Sequence, residues 1–275
     1  MKNFKKILAL VLAIGMVFAL AACGEKKDDV VKVGVLEVSG AMDSMQAEEH
    51  WAHLDRSYST NFETIYYSNL SSALMDLESG KIITLGVEGC VADYIVARNE
   101  KIVASKRSDA VKNFSMMTMD SNREVYDILN NAIKEMKADG TLEGLIENEL
   151  KAYIESDPVA KDLPHVDGAK TIKIGVTGDV PPMDFVASNG KAAGFNIALL
   201  TEIANRAQVN IELVQIETGS RAIALSSGKV DAVFWTKSVK CTVCGAEGAE
   251  KVEGTLVTES YFTDCSATIE LKSDK

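Results

Sequence analysis

Two stretches of the chain carry the same run of apolar and polar positions. Ala73 to Ile82 (ALMDLESGKI) and Ala222 to Thr236 (AIALSSGKVDAVFWT) each set apolar residues along a short helix, Leu74 and Leu77 in one, Ile223 and Leu225 in the other. Each then runs into a glycine, Gly80 or Gly228, which can take the left-handed conformation that stops a helix. The apolar runs that follow, Ile82 to Val87 and Val230 to Trp235, predict strands buried on both faces, the second closing on an exposed Trp235-Thr236 pair. The repeat reaches outward: Lys32 to Val35 (KVGV) matches Lys173 to Val176 (KIGV), and Phe62 to Tyr67 matches Ile211 to Ile216 as a strand ahead of the helix. Two consecutive units of strand, helix, strand, helix, strand predict an α/β fold of two small parallel sheets covered by helices.

The ends of the pattern are different. Met1 to Ala22 has Lys2, Lys5 and Lys6 followed by an uncharged apolar run, the order of a secretory signal peptide. It exits through Leu20-Ala21-Ala22-Cys23-Gly24, which resembles the lipobox of bacterial lipoproteins and implies a lipid on Cys23; a plain signal peptide with a chance cysteine is the alternative. No later apolar run approaches the length that spans a bilayer, so the lipid is the expected anchor, with residues 23–30 as its tether. The formal charge is −11, and it becomes more negative once the three leader lysines are removed, which argues against a nucleic-acid partner. The chain is long enough to bury a core without relying on disulfides.

Candidate chemistry gathers at strand ends. Ser39-Gly40 follows the strand Val31 to Val38 and precedes an acidic helix-like segment through Leu54, so its amides either cap that helix or form a nest for an anion. His50 and His53 beside Glu48 and Glu49 lack a third ligand at a convincing spacing and read as a solvated face, so no metal is expected. Glu88 ends a strand of the kind of sheet that binds ligands at its carboxyl edge. Phe114 to Met119 predicts a further strand, Ser121 and Glu124 a capping box, and Val125, Ile128, Leu129, Ile133 and Met136 one face of a helix that stops at Asp139-Gly140. Residues 156–170 read as a linker. Pro181-Pro182 stiffens the loop that presents Met183 and Phe185, and Gly194-Phe195-Asn196 opens an amphipathic helix.

The run IKIGVTGDVPPMDFVASNGKAAGFNIALLTEIANRAQVNIELVQI, then ALSSGKVDAVFW and TESYF, resembles the first lobe of the family 3 extracellular solute-binding proteins. FETIYYSNLSSALMDLESGKI, then FSMMTM and VYDILNNAIKEMKADGTLEGLIENEL, resembles that family's second lobe and closing helices. The resemblance implies a periplasmic-binding-protein type II-like (Venus flytrap) fold that delivers amino acids or similar solutes to an ABC importer. The order is inverted, which implies a circular permutant: residues 31–112 as lobe two, 113–155 as the return strand and closing helices, and 171–275 as lobe one. A truncated tandem that swaps lobes between two chains is the alternative.

By the same resemblance the ligand contacts are Thr177, Met183, Phe185, Trp235, Thr236 and Ser238 from lobe one, and Ser39, Gly40 and Glu88 from lobe two, with Glu88 standing where the family has an Asp for the ligand's ammonium. The family's Thr-x-x-Arg carboxylate clamp is missing, since Lys240-Cys241-Thr242-Val243 occupies that region. Arg221, Lys237 or Lys240 could compensate, although the lysines read as surface charge. Trp235 either stacks on the ligand or anchors the core. Cys241, Cys244 and Cys265 are candidates for a disulfide in an exported chain, with connectivity open.

The reading is a monomeric, lipid-anchored binding protein with a small-molecule ligand, a permease partner and no cofactor. An enzyme on the same fold, lyase- or dehydratase-like, would need an acid or base in the cleft, for which Glu88 is the nominee. A sensor docking to a membrane receptor would share the same sequence signature.

Overall fold

The computed structural model describes residues 30–37, 61–107, 110–156, 160, 162–240 and 247–272. Their strands are β1 (Val31–Leu36), β2 (Phe62–Tyr67), β3 (Leu85–Glu88), β4 (Ile102–Arg107), β5 (Val111–Met119), β6 (Thr171–Val176), β7 (Asp179–Val180), β8 (Asp184–Val186), β9 (Ala192–Ala193), β10 (Asn210–Gln215), β11 (Ala232–Lys240), β12 (Glu247–Ala249), β13 (Thr255–Val257), β14 (Phe262–Asp264) and β15 (Ser266–Leu271). The α-helices are α1 (Leu70–Glu78), α2 (Gly89–Arg98), α3 (Arg123–Ala138), α4 (Thr141–Leu145), α5 (Ala152–Glu155), α6 (Phe195–Ala207) and α7 (Arg221–Ser226).

Two sheets carry the repeat read from the sequence. One runs β2-β1-β3-β15-β4 and the other β10-β6-β11-β5-β13. In each, the first three strands are parallel and the fourth is antiparallel, and that fourth strand arrives from the opposite half of the chain. The chain passes between sheets twice, from β4 to β5 and from β14 to β15. The sequence assigns residues 171–275 to one lobe; Ser266–Leu271 instead completes the other sheet, because β15 pairs with β3 and β4. A strand's period marks which of its faces are buried and leaves its neighbours open.

The two central glycines of the repeat explain themselves in the packing. A Cβ on Gly34 would lie 2.5 Å from Ile82 Cδ1, and one on Gly175 would lie 2.5 Å from Ile216 Cδ1. Each sheet is therefore covered by an isoleucine seated directly on its second strand, β1 or β6. Gly80, Gly140 and Gly228 have φ of 74°, 81° and 70°, the left-handed helix stops that the sequence predicts. The core face of α3 is Val125, Leu129, Ala132, Ile133 and Met136. One cluster of buried apolar side chains runs from Leu77 and Ile95 in lobe two through Phe114 to Ile174 and Leu199 in lobe one.

Some local expectations shift. The strand predicted from Ile82 begins at Leu85, leaving Ile83 57% exposed. The capping box is absent, since Asp120–Asn122 forms a 3-10 turn and α3 starts without a side-chain cap. The strand after Gly228 extends to Lys240 because β5 lies alongside it, with a register shift between Val233 and Thr236 where Trp235 takes φ of 66°. That irregularity turns the Trp235-Thr236 pair inward, and both are buried rather than exposed. Among the described residues no helix is long and apolar enough to cross a membrane.

Candidate functional site

Two buried carboxylates organise the region where the lobes meet. Asp184, on β8 just past Pro181-Pro182, accepts hydrogen bonds from Thr177 N at 3.1 Å, Thr177 Oγ1 at 2.5 Å, Gly178 N at 2.7 Å, Asn196 Nδ2 at 2.9 Å and Trp235 Nε1 at 3.0 Å. These donors come from the loop after β6, the first turn of α6 and β11, so one side chain ties three elements together. The approach of that loop to α6 depends on Gly194, with φ of 110°, whose neighbours Phe195 N and Asn196 N donate to the carbonyls of Pro182 and Met183. These bonds satisfy amides that a helix start leaves open.

Glu88 is the second. It ends β3 in lobe two, while Lys112 on β5 and Lys237 on β11 belong to the sheet of lobe one. Lys112 Nζ lies 3.0 and 2.9 Å from the two Glu88 oxygens, and Lys237 Nζ lies 3.2 Å from Oε1. All three residues are at most 5% exposed. Removing one member of such a buried pair leaves an uncompensated charge, at a cost of about 3–5 kcal/mol. The cluster stands beside both crossings: Glu88 is opposite Ser266 in the β3–β15 register, and Lys112 is opposite Asp264 in the β14–β5 register. Burial pushes the Asp264 carboxyl up, although Cys90 N and Cys265 N each donate to it at 2.8 Å. Burial and Asp264 together push the Cys90 thiol well above its ordinary value.

Further contacts close the lobes on each other. Asn69, the cap of α1, donates through Nδ2 to Asp179 Oδ2 at 2.8 Å, and burial raises the Asp179 carboxyl. The Tyr94 and Phe185 rings lie 6.3 Å apart across the seam. Arg98 at the end of α2 donates to the carbonyls of Tyr153, Ile154 and Ser156 at 2.7, 2.9 and 2.6 Å, capping the closing helices. A cavity of about 490 Å³ opens on the same flank, walled by Leu142, Ile146, Leu150 and Ile154, by Tyr261 and Phe262, and by Cys90 on α2.

Residues 172–241 match the family model of the bacterial extracellular solute-binding proteins, family 3. That segment runs from β6 through α6, β10 and α7 to the end of β11. The two-lobed α/β fold is of the periplasmic-binding-protein type II kind. A comparison with curated protein sequences finds no match. Among solved structures, the chain is similar at 11% identity to the GluR0 ligand binding core in complex with L-glutamate, over 90% of this chain and 87% of that one, with a TM-score of 0.46. It is similar at 12% identity to the periplasmic aliphatic sulphonate binding protein SsuA from Escherichia coli, over 88% and 65%, with a TM-score of 0.38. CbnR, a LysR family transcriptional regulator, aligns at 10% identity over 99% and 73%, with a TM-score of 0.48.

The residues expected to line a solute-binding cleft divide into groups. Ser39, Gly40, Cys23 where a lipid is expected, and Cys241 and Cys244 lie outside the described residues, as do His50 and His53. Glu88 stands at the seam, and Phe185 is half-buried there against Tyr94. Thr177 and Trp235 serve Asp184, with the Trp235 ring edge-on to Phe114 at 5.6 Å, an anchored core tryptophan. Met183 is fully buried, and Ser238 is half-buried opposite Asn113. Thr236 is buried with its hydroxyl unpartnered among the described residues. Arg221 is buried in an ion pair with Glu250, whose own amide donates to Lys237 O.

Two sequence expectations are corrected outright. Cys265 is a free thiol, as is Cys90. Lys237, read as surface charge, is fully buried, and only Lys240 is exposed. Lys112, Asp179 and Asp184 were not anticipated. Asp184 carried a signal in its place beside the double proline; Lys112 carried none, because a charged residue at a strand's start reads as solvated. Among the described residues no three His, Cys, Asp or Glu side chains gather as a metal site would require.

Proposed function

We propose that this chain is an extracytoplasmic substrate-binding protein of an ABC importer, held to the membrane by a lipid on Cys23, that takes an amino acid or related small polar solute as its two lobes close. The observation that carries this reading is the buried ion cluster shared across the lobe seam, Glu88 from one lobe with Lys112 and Lys237 from the other. A charged group from each lobe meets where two crossing segments act as a hinge, so a ligand that touches both lobes stabilises the closed state in proportion to its preference for it. The match of residues 172–241 to the solute-binding family supports the same reading. Circular permutation of the lobes is part of the proposal, supported by the entry of β15 into the first sheet. The protein acts as a monomer, and Glu88, Phe185 and Thr236 are its foremost cleft residues.

The test is a thermal-shift screen of the purified chain against amino acids, amines and organic acids. A ligand specific to the folded state raises stability by about 2.7 kcal/mol at a hundred times its Kd. A bound solute recovered unchanged supports transport or sensing. Chemical turnover of the solute would replace this reading with an enzyme.

A further inference from the structure

We infer that the recess between α2 and the closing helices is a second ligand site, and that its ligand is a small, uncharged, apolar molecule. The site is separate from the solute-binding reading, since none of its walls is among the residues expected to line the cleft between the lobes.

The recess has the size and enclosure of a ligand pocket. Its volume of about 490 Å³ falls within the roughly 300–1,000 Å³ of small-molecule sites. Leu142, Leu150, Tyr261, Phe262 and Cys90 wall it, and each is at most 8% exposed, so the wall is screened from bulk water. Arg98 at the end of α2 holds the carbonyls of Tyr153, Ile154 and Ser156, which pins the closing helices beside α2 and fixes the shape of the recess.

The wall also carries a rare backbone form. Ile146–Lys151, between α4 and α5, is a π-helix, and such segments are uncommon and recur at functional sites. In an α-helix Lys151 would lie about 140° around from Ile146. The wider π turn places it in the same lining as Ile146 and Leu150.

Charge decides what the recess accepts. Four charged side chains reach it, and each is already matched. Lys137 Nζ lies 2.9 Å from Glu259 Oε2, Lys151 Nζ lies 2.7 Å from Glu147 Oε2, and Asp93 pairs with Arg107. Asp264 receives the amides of Cys90 and Cys265, and burial favours its neutral form. Burial likewise keeps the Cys90 thiol protonated, so it packs as a small apolar group. Ser260 and Thr263 add only neutral hydroxyls. A charged ligand would therefore leave water without gaining a counter-charge, whereas an uncharged one loses little hydration and covers the leucine, isoleucine and phenylalanine walls.

The test titrates two dyes into the full chain: phenylnaphthylamine, which is uncharged and brightens on leaving water, and anilinonaphthalene sulfonate, the same rings carrying a charge. The expected result is saturable binding of one phenylnaphthylamine per chain, displaced by toluene or indole, with the sulfonate at least about tenfold weaker. Ile146→Trp puts an indole into the recess and weakens phenylnaphthylamine at least about tenfold. Ile223→Ser, which removes an apolar side chain 70% exposed on α7, leaves the affinity unchanged. Absence of saturable binding, a sulfonate that binds as tightly, or unchanged affinity in Ile146→Trp overturns the inference. If Ile146→Trp does not fold, Ile154→Trp replaces it, with the same loss expected and the same refutation if the affinity holds. Failure on any of these counts leaves the solute-binding reading standing, because neither dye is a polar solute.

Discussion

Replacing Asp184 with alanine tests whether one carboxylate holds lobe one together. The substitution strips the acceptor from five donors at once: Thr177 N and Oγ1, Gly178 N, Asn196 Nδ2 and Trp235 Nε1. Each buried donor left without a partner costs about 1–3 kcal/mol, and water admitted to the vacated space recovers part of that. The net expectation is a loss of about 4 kcal/mol, equivalent to a fall of about 10 °C in Tm for a chain of this size. Asp184→Asn keeps one oxygen for the Thr177 and Gly178 donors but turns an NH2 toward Asn196 and Trp235, for about 2 kcal/mol. Trp235→Phe removes the indole hydrogen bond and also leaves a small cavity beside Phe114, for about 2 kcal/mol. Urea denaturation followed by circular dichroism measures all three on one scale. The predicted order puts Asp184→Ala below both Asp184→Asn and Trp235→Phe. An Asp184→Ala protein within about 1 kcal/mol of wild type would refute the assignment of Asp184 as the hub.

Three further outcomes follow from the same geometry. Gly194→Ala places a Cβ against the backbone carbonyls of Met183 and Pro182 at a φ of 110°, where no side-chain movement gives relief; a loss of at least about 3 kcal/mol or failure to fold is expected, and a normal melting curve would contradict the packing. Hydrogen bonds from Thr141 and then Arg206 hold the Asp139 carboxyl down at about 2, against an ordinary value of 3.8. A depressed carboxyl stabilises the fold above its unfolded value and loses that effect as pH falls through its folded one, so Asp139→Asn is less stable than wild type at neutral pH and the gap closes between pH 3.8 and 2 in paired melts. Arg98→Ala frees the carbonyls of Tyr153, Ile154 and Ser156 and is expected to raise amide hydrogen exchange in residues 141–155 without changing exchange in α6.

Much of the architecture was legible because it rests on local rules. The glycine stops at Gly80 and Gly228, the strand Phe62 to Tyr67, the α3 face from Val125 to Met136 and the doubled KVGV and KIGV strands all depend on residues within a few positions of each other. The seam was legible only in part. Glu88 could be placed at a strand end from its neighbours in sequence, but its partners Lys112 and Lys237 come from strands 24 and 149 positions away. Nothing in the period of those strands distinguishes a lysine facing water from one facing another lobe's carboxylate.

Sequence by itself therefore determined the elements, their repetition and the α/β class, because helix stops and apolar periods are properties of short segments. Tertiary structure decided which sheet receives Ser266–Leu271, that Trp235 turns inward to Asp184, and that Lys237 is buried with Glu88. Those outcomes depend on what lies opposite each residue once two lobes meet. A hydrophobic pattern marks a buried face, whereas the charge and shape across from it are set by distant parts of the chain.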